Sequence, residues 1–312
     1  MAVRHQRAAP APADTVMHVC VCICTYRRPA LLTRLLEALA CQETDGAFTY
    51  SIVVVDNDAT RSSEPVVRAV AASTAVSVRY RVEPRRNIAL ARNKAIENAE
   101  GNFIAFIDDD ECPPPRWLVT LFAACREYGV AGVLGPVRPR FEESPPRWVV
   151  TGKFYERPTY PTGFVIGWRQ GRTGNVLLTR ELFDGETAPF RPEFVTGEDQ
   201  DFFRRMIERG HRFVWCDAAS VQEVVPPVRW RRSFMMRRAL LRGSVSLFHP
   251  TFGPRDVLKS LVAVPAYVAL LPLALLLSQA LFMTYVVKLC DHLGRLLALM
   301  RIKPIKEAYV TE

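Results

Sequence analysis

The sequence predicts an α/β protein built on a mostly parallel central sheet. Three observations lead there. Uninterrupted apolar runs at residues 19–24, 52–55 and 103–107 read as strands buried on both faces. Helix-period stretches separate them, the alternation expected of a chain that winds strand, helix, strand. Each run also ends in a polar cluster: Thr25 to Arg28, Asp56 to Asp58, and Asp108 to Glu111. Parallel order brings such ends to one sheet edge, where ligands bind in open α/β folds.

The chain has 312 residues, 49% of them apolar and 23% charged, and a net charge of +9. That composition supports a packed core and excludes global disorder. Residues 1–17 read as a disordered arm, with Arg4, Arg7 and Asp14 among Ala and Pro. The arm has no apolar stretch of the kind a secretory signal needs, so a reducing compartment without disulfides is expected. The eight cysteines form no paired CxxC motif. Cys20, Cys22 and Cys24 alternate along the first strand and so share one face, as small core residues rather than zinc ligands.

Pro29 suits a first helical turn, and Leu31, Leu32, Leu35, Leu36 and Leu39 make the apolar stripe of the helix that follows. Residues 76–82 alternate as a third strand, 87–99 are helical, and 103–107 form the fourth strand. No GxGxxG or P-loop follows the first strand, so neither dinucleotide nor Walker-type phosphate binding is indicated. Residues 132–172 are irregular and carry six prolines with Trp148 and Trp168. A loop of that length suggests a lid or binding loop. Its aromatics either stack on sugar rings or anchor the loop. Asn175 then leads into another apolar run at 176–178.

Asp108, Asp109, Asp110 and Glu111 leave a fully apolar strand together. Like charges this close penalise one another unless something positive sits among them. Oxygen-only side chains on a short platform suit a hard cation such as Mg²⁺, which shares its shell with water and substrate phosphates. The competing reading is an acidic surface turn. Asp56, after the second strand, either accepts hydrogen bonds from a base or ribose, or caps a turn. Arg92 lies on the helix before the acidic strand, either near phosphate or on a solvated face. A second acidic group, Glu198, Asp199 and Asp201, opens a helix. Acids there complement the helix dipole, yet a carboxylate at such a junction can also face a cleft and accept a proton from an attacking hydroxyl.

The last third is basic and apolar. Arg229, Arg231, Arg232, Arg237, Arg238 and Arg242 fall in a stretch with no acid and with Phe234, Met235, Met236, Leu240 and Leu241 interleaved. No nucleic-acid module accompanies them, so an anionic membrane surface or a lipid diphosphate is the better partner. Residues 260–287 then run without a charge. Their length would span a bilayer, but Pro265 and Pro272 argue for a break. Basic residues flank both ends: Lys259 before, then Lys288, Arg295, Arg301, Lys303 and Lys306 after. A simple span would put one basic set on the wrong side. The expectation is a broken helix pair that dips into the membrane and returns. A single span and a soluble helical cap are the alternatives.

Taken in order, CTYRRP, VVDND, NIALARN, FIDDDE, RTGN and GEDQDFF resemble the inverting family-2 glycosyltransferases of GT-A fold. VLGPVRP, SPPRWVVTG and VQEVVPPVR further resemble the bacterial succinoglycan-type exopolysaccharide glucosyltransferases. The resemblance covers about residues 18–250, so 18–228 is read as the catalytic domain and 229–312 as a membrane-associating segment.

The resemblance implies that Thr25, Arg27 and Asp56 line a nucleotide pocket, with Arg92 and Asn93 near the donor. It further implies that Asp108 and Asp110 form the DxD pair at ribose and metal-bound diphosphate. Asp199 would be the catalytic base, with Glu198 beside it. The implied cofactor is Mg²⁺ or Mn²⁺, and the implied donor a nucleotide-diphosphate sugar, with UDP-glucose favoured. The implied acceptor is a polyprenyl-diphosphate-linked glycan at the cytoplasmic face of a bacterial inner membrane. Sugar transfer to polyprenyl phosphate, and a catalytically inactive sugar-nucleotide-binding subunit, are the alternatives. The chain departs from the family at Gln222, where a His is often found, which leaves a third metal ligand unnamed.

Overall fold

The computed structural model describes residues 16–194, 197–248 and 252–305. Most of the expected N-terminal arm, and Lys306, lie outside these residues. In chain order the first half comprises β1 (His18–Thr25), α1 (Pro29–Ala40), β2 (Thr49–Asp56), α2 (Glu64–Ser73), β3 (Ser77–Val82), α3 (Ile88–Asn98), β4 (Phe103–Phe106), β5 (Glu111–Cys112) and α4 (Trp117–Tyr128). Then follow β6 (Gly132–Leu134), β7 (Val137–Arg140), α5 (Arg147–Thr151), β8 (Val176–Thr179), α6 (Glu198–Glu208), β9 (Phe213–Trp215) and β10 (Val221–Val224). The described residues end with three helices, α7 (Arg232–Val245), α8 (Pro254–Leu277) and α9 (Gln279–Leu299).

A seven-stranded sheet has the order β3-β2-β1-β4-β8-β6-β9. β3, β2, β1 and β4 are mutually parallel, as the alternation of apolar runs and helices predicts. β8 runs antiparallel between β4 and β6. Its approach follows the irregular stretch after β7, without the long helical crossover that a parallel neighbour requires. A smaller sheet, β5-β10-β7, stands at the end of β4. The Asp110 carbonyl accepts from the amide of Val224 at 2.8 Å, so the acidic turn is clamped between the two sheets.

β1 is buried on both faces. Val19, Val21 and Ile23 point into one core with α1 and α4, while Cys20 and Cys22 point into the other with α3 and α6. Leu32, Leu35, Leu36 and Leu39 of α1 are fully buried, each such burial contributing roughly 1.5–3 kcal/mol. Asn87 caps α3 by accepting from the amides of Ala89 and Leu90 at 2.9 and 3.2 Å.

The C-terminal helices correct one expectation. Pro265 and Pro272 lie inside α8, which runs through both without a break. A proline removes one amide donor, and the rest of the hydrogen-bond ladder continues past it. The chain reverses instead at Ser278, whose extended backbone separates the helices and whose hydroxyl accepts from the Leu281 amide at 3.1 Å. α9 returns antiparallel along α8, with Tyr267 against Tyr285 and His292 at ring distances of 5.4 and 6.0 Å. α7 lies against α9 through two glycines. A Cβ on Gly294 would sit 2.2 Å from the Leu240 carbonyl, and one on Gly243 would sit 2.0 Å from that of Asp291. Among the described residues α8 alone is long and apolar enough to cross a membrane, with a mean hydropathy of 2.3 over its most apolar window.

Candidate active site

A cleft of about 520 Å³ opens where β1, β4 and α6 begin or end and α7 crosses above them. A volume of this size suits a small-molecule ligand. Asp108 and Asp110 from the end of β4, and Glu198 and Asp199 from the start of α6, all line it, with Thr25 from β1 and Arg92 from α3. The carboxylates singled out in two distant stretches of sequence therefore share one cavity.

Arginines explain why four consecutive acids survive here. Asp109 accepts from the Thr25 hydroxyl at 2.8 Å and from Arg28 at 3.0 Å. Asp110 Oδ2 accepts from Arg229 at 2.6 Å and from Arg28 at 3.3 Å. Arg229 also donates to Glu223 at 3.0 Å, and Arg157 donates to the other oxygen of Glu223 at 2.5 Å. Opposite charges thus alternate across the cleft floor, yet burial outweighs the arginines: it raises the Asp108 carboxyl to about 6 against Arg92 and pushes Asp109 up against Arg28. Glu111 differs. It is 2% exposed and its Oε1 has no hydrogen-bond partner. Burial, then the charges of Asp108 and Asp110, push its carboxyl well above the usual range. Its Oε2 accepts from the Asp108 amide at 3.1 Å and fixes the turn. A Cβ at Gly174 would lie 2.8 Å from both Asp108 Oδ2 and Glu111 Oε1, so a larger residue there would push these carboxyl groups aside.

At the head of α6 the two acids take different environments. Glu198 is 4% exposed and forms an ion pair with Arg92, whose guanidinium also lies 3.9 Å from Asp108. Burial raises the Glu198 carboxyl to about 7, with Arg92 opposing the rise and Asp199 adding to it. Asp199 is partly exposed and accepts from the Gln200 amide at 2.7 Å through Oδ1. Gly197, at φ 86°, makes the left-handed entry that aims both residues into the cleft.

Other predicted positions lie off the cleft. Asp56 is fully buried, with donors from Ser63, Tyr80 and Asp58 at 2.8, 2.9 and 3.1 Å. Those contacts are the turn-capping alternative. Arg27 turns outward to Asp58 at 2.9 Å, and it is its neighbour Arg28 that lines the cleft. Asn93 exchanges hydrogen bonds with the Phe190 backbone at 2.7 and 2.9 Å, a staple between α3 and the loop before α6. Neither Trp148 nor Trp168 borders the cleft. Trp148 packs edge-on to Phe154, and Arg169 lies over Trp168. Gln222 is exposed while Glu223 faces the cleft, because adjacent strand residues point to opposite sides. Arg28, Arg157 and Glu223 were not singled out as site residues. Arg157 sits in the irregular stretch, where no periodicity marks it.

Residues 20–184 match the family model described as Glycosyl transferase family 2. The chain belongs to glycosyltransferase family 2. One relative of this transferase is a succinoglycan biosynthesis protein, ExoM, of Rhizobium meliloti (strain 1021), 34% identical over 74% of each chain. Another is a validoxylamine A glucosyltransferase of Streptomyces hygroscopicus subsp. limoneus, 30% identical over 38% of this chain and 26% of that one. Among solved structures, a mannosyltransferase of Pyrobaculum calidifontis in complex with GDP-Man and Mn²⁺ superposes with a TM-score of 0.61 at 19% identity, covering 92% of this chain and 89% of that one. S. aureus TarS in complex with UDP-GlcNAc gives 0.51 at 18% identity, over 77% and 70%. The family-2 fold here is GT-A, as the motif order implied.

The donor set of this glycosyltransferase fits a hard divalent cation that takes the rest of its shell from a bound diphosphate. Asp108 and Asp110 offer oxygen ligands on one turn. Both Arg28 and Arg229 contact Asp110 through Oδ2. Among the described residues no three His, Cys, Asp or Glu converge into a closed cage.

Proposed function

We propose that this family-2 enzyme is an inverting hexosyltransferase. It moves a sugar, glucose from UDP-glucose being favoured, from a nucleotide-diphosphate donor to a lipid-linked oligosaccharide of an exopolysaccharide. The observation that carries this reading is the single cleft shared by Asp108, Asp110 and Asp199 and roofed by the arginines of α7. The kinship with a succinoglycan biosynthesis protein supports the product class.

In this reading Thr25 and Asn57, at the ends of β1 and β2, border the nucleoside side of the cleft. Asp108 and Asp110 would hold Mg²⁺ or Mn²⁺, which supplies positive charge against the leaving diphosphate. Asp199 accepts the proton of the acceptor hydroxyl as it attacks the anomeric carbon from the opposite face, and a single displacement inverts configuration. Glu198 holds Arg92 toward Asp108, so that a guanidinium stands beside the diphosphate. Arg238 and Arg242 of α7 border the far end of the cleft, where cations suit an acceptor carrying its own diphosphate. In this reading the α8–α9 hairpin is the membrane-associating segment and the enzyme works at the cytoplasmic face, beside its lipid-linked acceptor; the length and apolarity of α8 support the association.

A donor screen by thermal shift, with and without Mn²⁺, tests the reading. A selective rise with UDP-glucose and Mn²⁺, together with nucleotide release on adding isolated membrane lipid, is expected. Release with polyprenyl phosphate alone would assign the acceptor to that simpler lipid. Donor binding without any release would make the chain a sugar-nucleotide-binding subunit.

A further inference from the structure

A second cavity, of about 430 Å³, lies among α7, α8 and α9, and among the described residues only Arg242 borders both it and the catalytic cleft. Arg242, Lys259, Lys288 and Arg295 face it, against two carboxylates, Asp256 and Asp291. Both carboxylates are engaged. Asp291 Oδ1 accepts from Arg242 at 2.8 Å, and Asp256 Oδ2 accepts from the Gly253 amide at 3.0 Å as part of the α8 cap. Arg295 is held in place by the hydroxyls of Ser246 and Ser260 at 3.0 and 3.1 Å. Lys259 and Lys288 have no carboxylate within ion-pair distance among the described residues. The cavity therefore carries uncompensated positive charge with preplaced guanidinium and ammonium donors, the chemistry that takes a phosphate.

Its position along the hairpin says where that phosphate comes from. The hairpin turns at Ser278, and Leu273, Leu275, Leu276 and Leu277 just before the turn are exposed. Along α9 the first charge after the turn is Lys288, nine residues past Gln279. At 1.5 Å per residue that is about 14 Å, close to half of a hydrocarbon core of about 30 Å. Deeper insertion would carry Lys288, Asp291, His292 and Arg295 into hydrocarbon, because α9 is bound along α8. Lys259 lies 18 residues before Leu277 on the other arm, about 27 Å from the turn, and so remains outside the core. With the apolar tip filling one leaflet, the basic cavity meets the headgroup layer.

We propose that the hairpin enters a single leaflet and that this cavity binds the phosphate of an anionic lipid headgroup there. The proposal rests on the membrane association argued above, and its test separates the two. Binding of the full chain to phosphatidylcholine vesicles reads the apolar tip alone. Binding to vesicles containing phosphatidylglycerol reads the cavity as well. The wild-type chain binds both, the anionic ones more tightly. Lys259→Ala with Lys288→Ala costs roughly fivefold per lysine, about twenty-five-fold together, on anionic vesicles, and leaves phosphatidylcholine binding unchanged. Both lysines are exposed, so the helices keep their packing.

Arg255→Ala with Arg301→Ala removes the same charge from exposed positions outside the cavity, and a much smaller loss is expected. An equal loss in the two pairs, or equal wild-type affinity for both vesicle types, overturns the headgroup site. Full displacement from anionic vesicles by millimolar inorganic phosphate assigns the cavity to free phosphate and overturns the lipid. Binding to anionic vesicles alone overturns insertion of the apolar tip, and failure of the wild-type chain to bind either vesicle removes the membrane association itself.

Discussion

Replacing Asp199 with Asn isolates the base from the binding site. Asp199 uses Oδ1 to accept from the Gln200 amide at 2.7 Å. The amide oxygen of Asn keeps that bond, so the NH₂ group takes the position of Oδ2 and the head of α6 retains its geometry. An amide cannot accept the acceptor's proton. General-base assistance accounts for roughly 10²–10⁴-fold in rate, or about 2.7–5.4 kcal/mol of barrier at 1.36 kcal/mol per decade. Nucleotide release from the donor, assayed with membrane lipid as acceptor source, should fall by that factor. The donor Kd, by calorimetry with Mn²⁺, should stay within about twofold of the wild-type value. Turnover within tenfold of wild type would remove Asp199 from the chemistry, and a parallel loss of donor affinity would recast it as a binding residue.

Four further outcomes are expected. Asp110→Asn keeps an acceptor for Arg229 and should lose the Mn²⁺-dependent gain in donor affinity at near wild-type Tm. Asp110→Ala removes one of the two carboxylates that Arg229 holds, leaving it Glu223, and should cost about 1–3 kcal/mol, read by urea unfolding. Glu198 has a folded pKa of about 7 against an ordinary carboxylate value of 4.5, so its proton contributes stability that is full below about pH 4.5 and lost as pH rises through 7. The difference reaches about 3 kcal/mol at most, and Glu198→Gln should flatten that part of the Tm–pH profile. Gly294→Ala drives a Cβ to 2.2 Å from the Leu240 carbonyl and should part α9 from α7, lowering stability by about 1–3 kcal/mol.

The parallel half of the sheet was legible because doubly buried strands leave unbroken apolar runs, as residues 52–55 do within β2. The antiparallel insertion of β8 was not, since its run looks the same whichever way it points. Within the site, the acids after β4 stand out because they leave a fully apolar strand, whereas acids at the start of α6 are ordinary helix-dipole partners, and it is the resemblance to the family-2 motifs that singles out Asp199 together with Asp108 and Asp110. Arg28 could not be told from Arg27. Which of two adjacent arginines faces inward depends on the left-handed turn at Arg27, φ 55°. Asp56 shows the reverse: a conspicuous acid after a strand, whose observed partners are the turn around it.

The sequence by itself determined the four parallel strands β1 to β4, the acidic ends of β4 and α6, and the length of the apolar tail, because each is written in local periodicity and charge; it left 132–172 irregular, where β6, β7 and α5 are too short to show a period. Only the tertiary structure decided that α7 roofs the cleft, that Glu198 pairs with Arg92 while Asp199 stays open, and that the tail turns at Ser278 rather than at its prolines. Those outcomes depend on contacts between residues as far apart as Asp110 and Arg229. No local pattern encodes such a contact. It exists because burying one charge beside the other costs less than burying either alone.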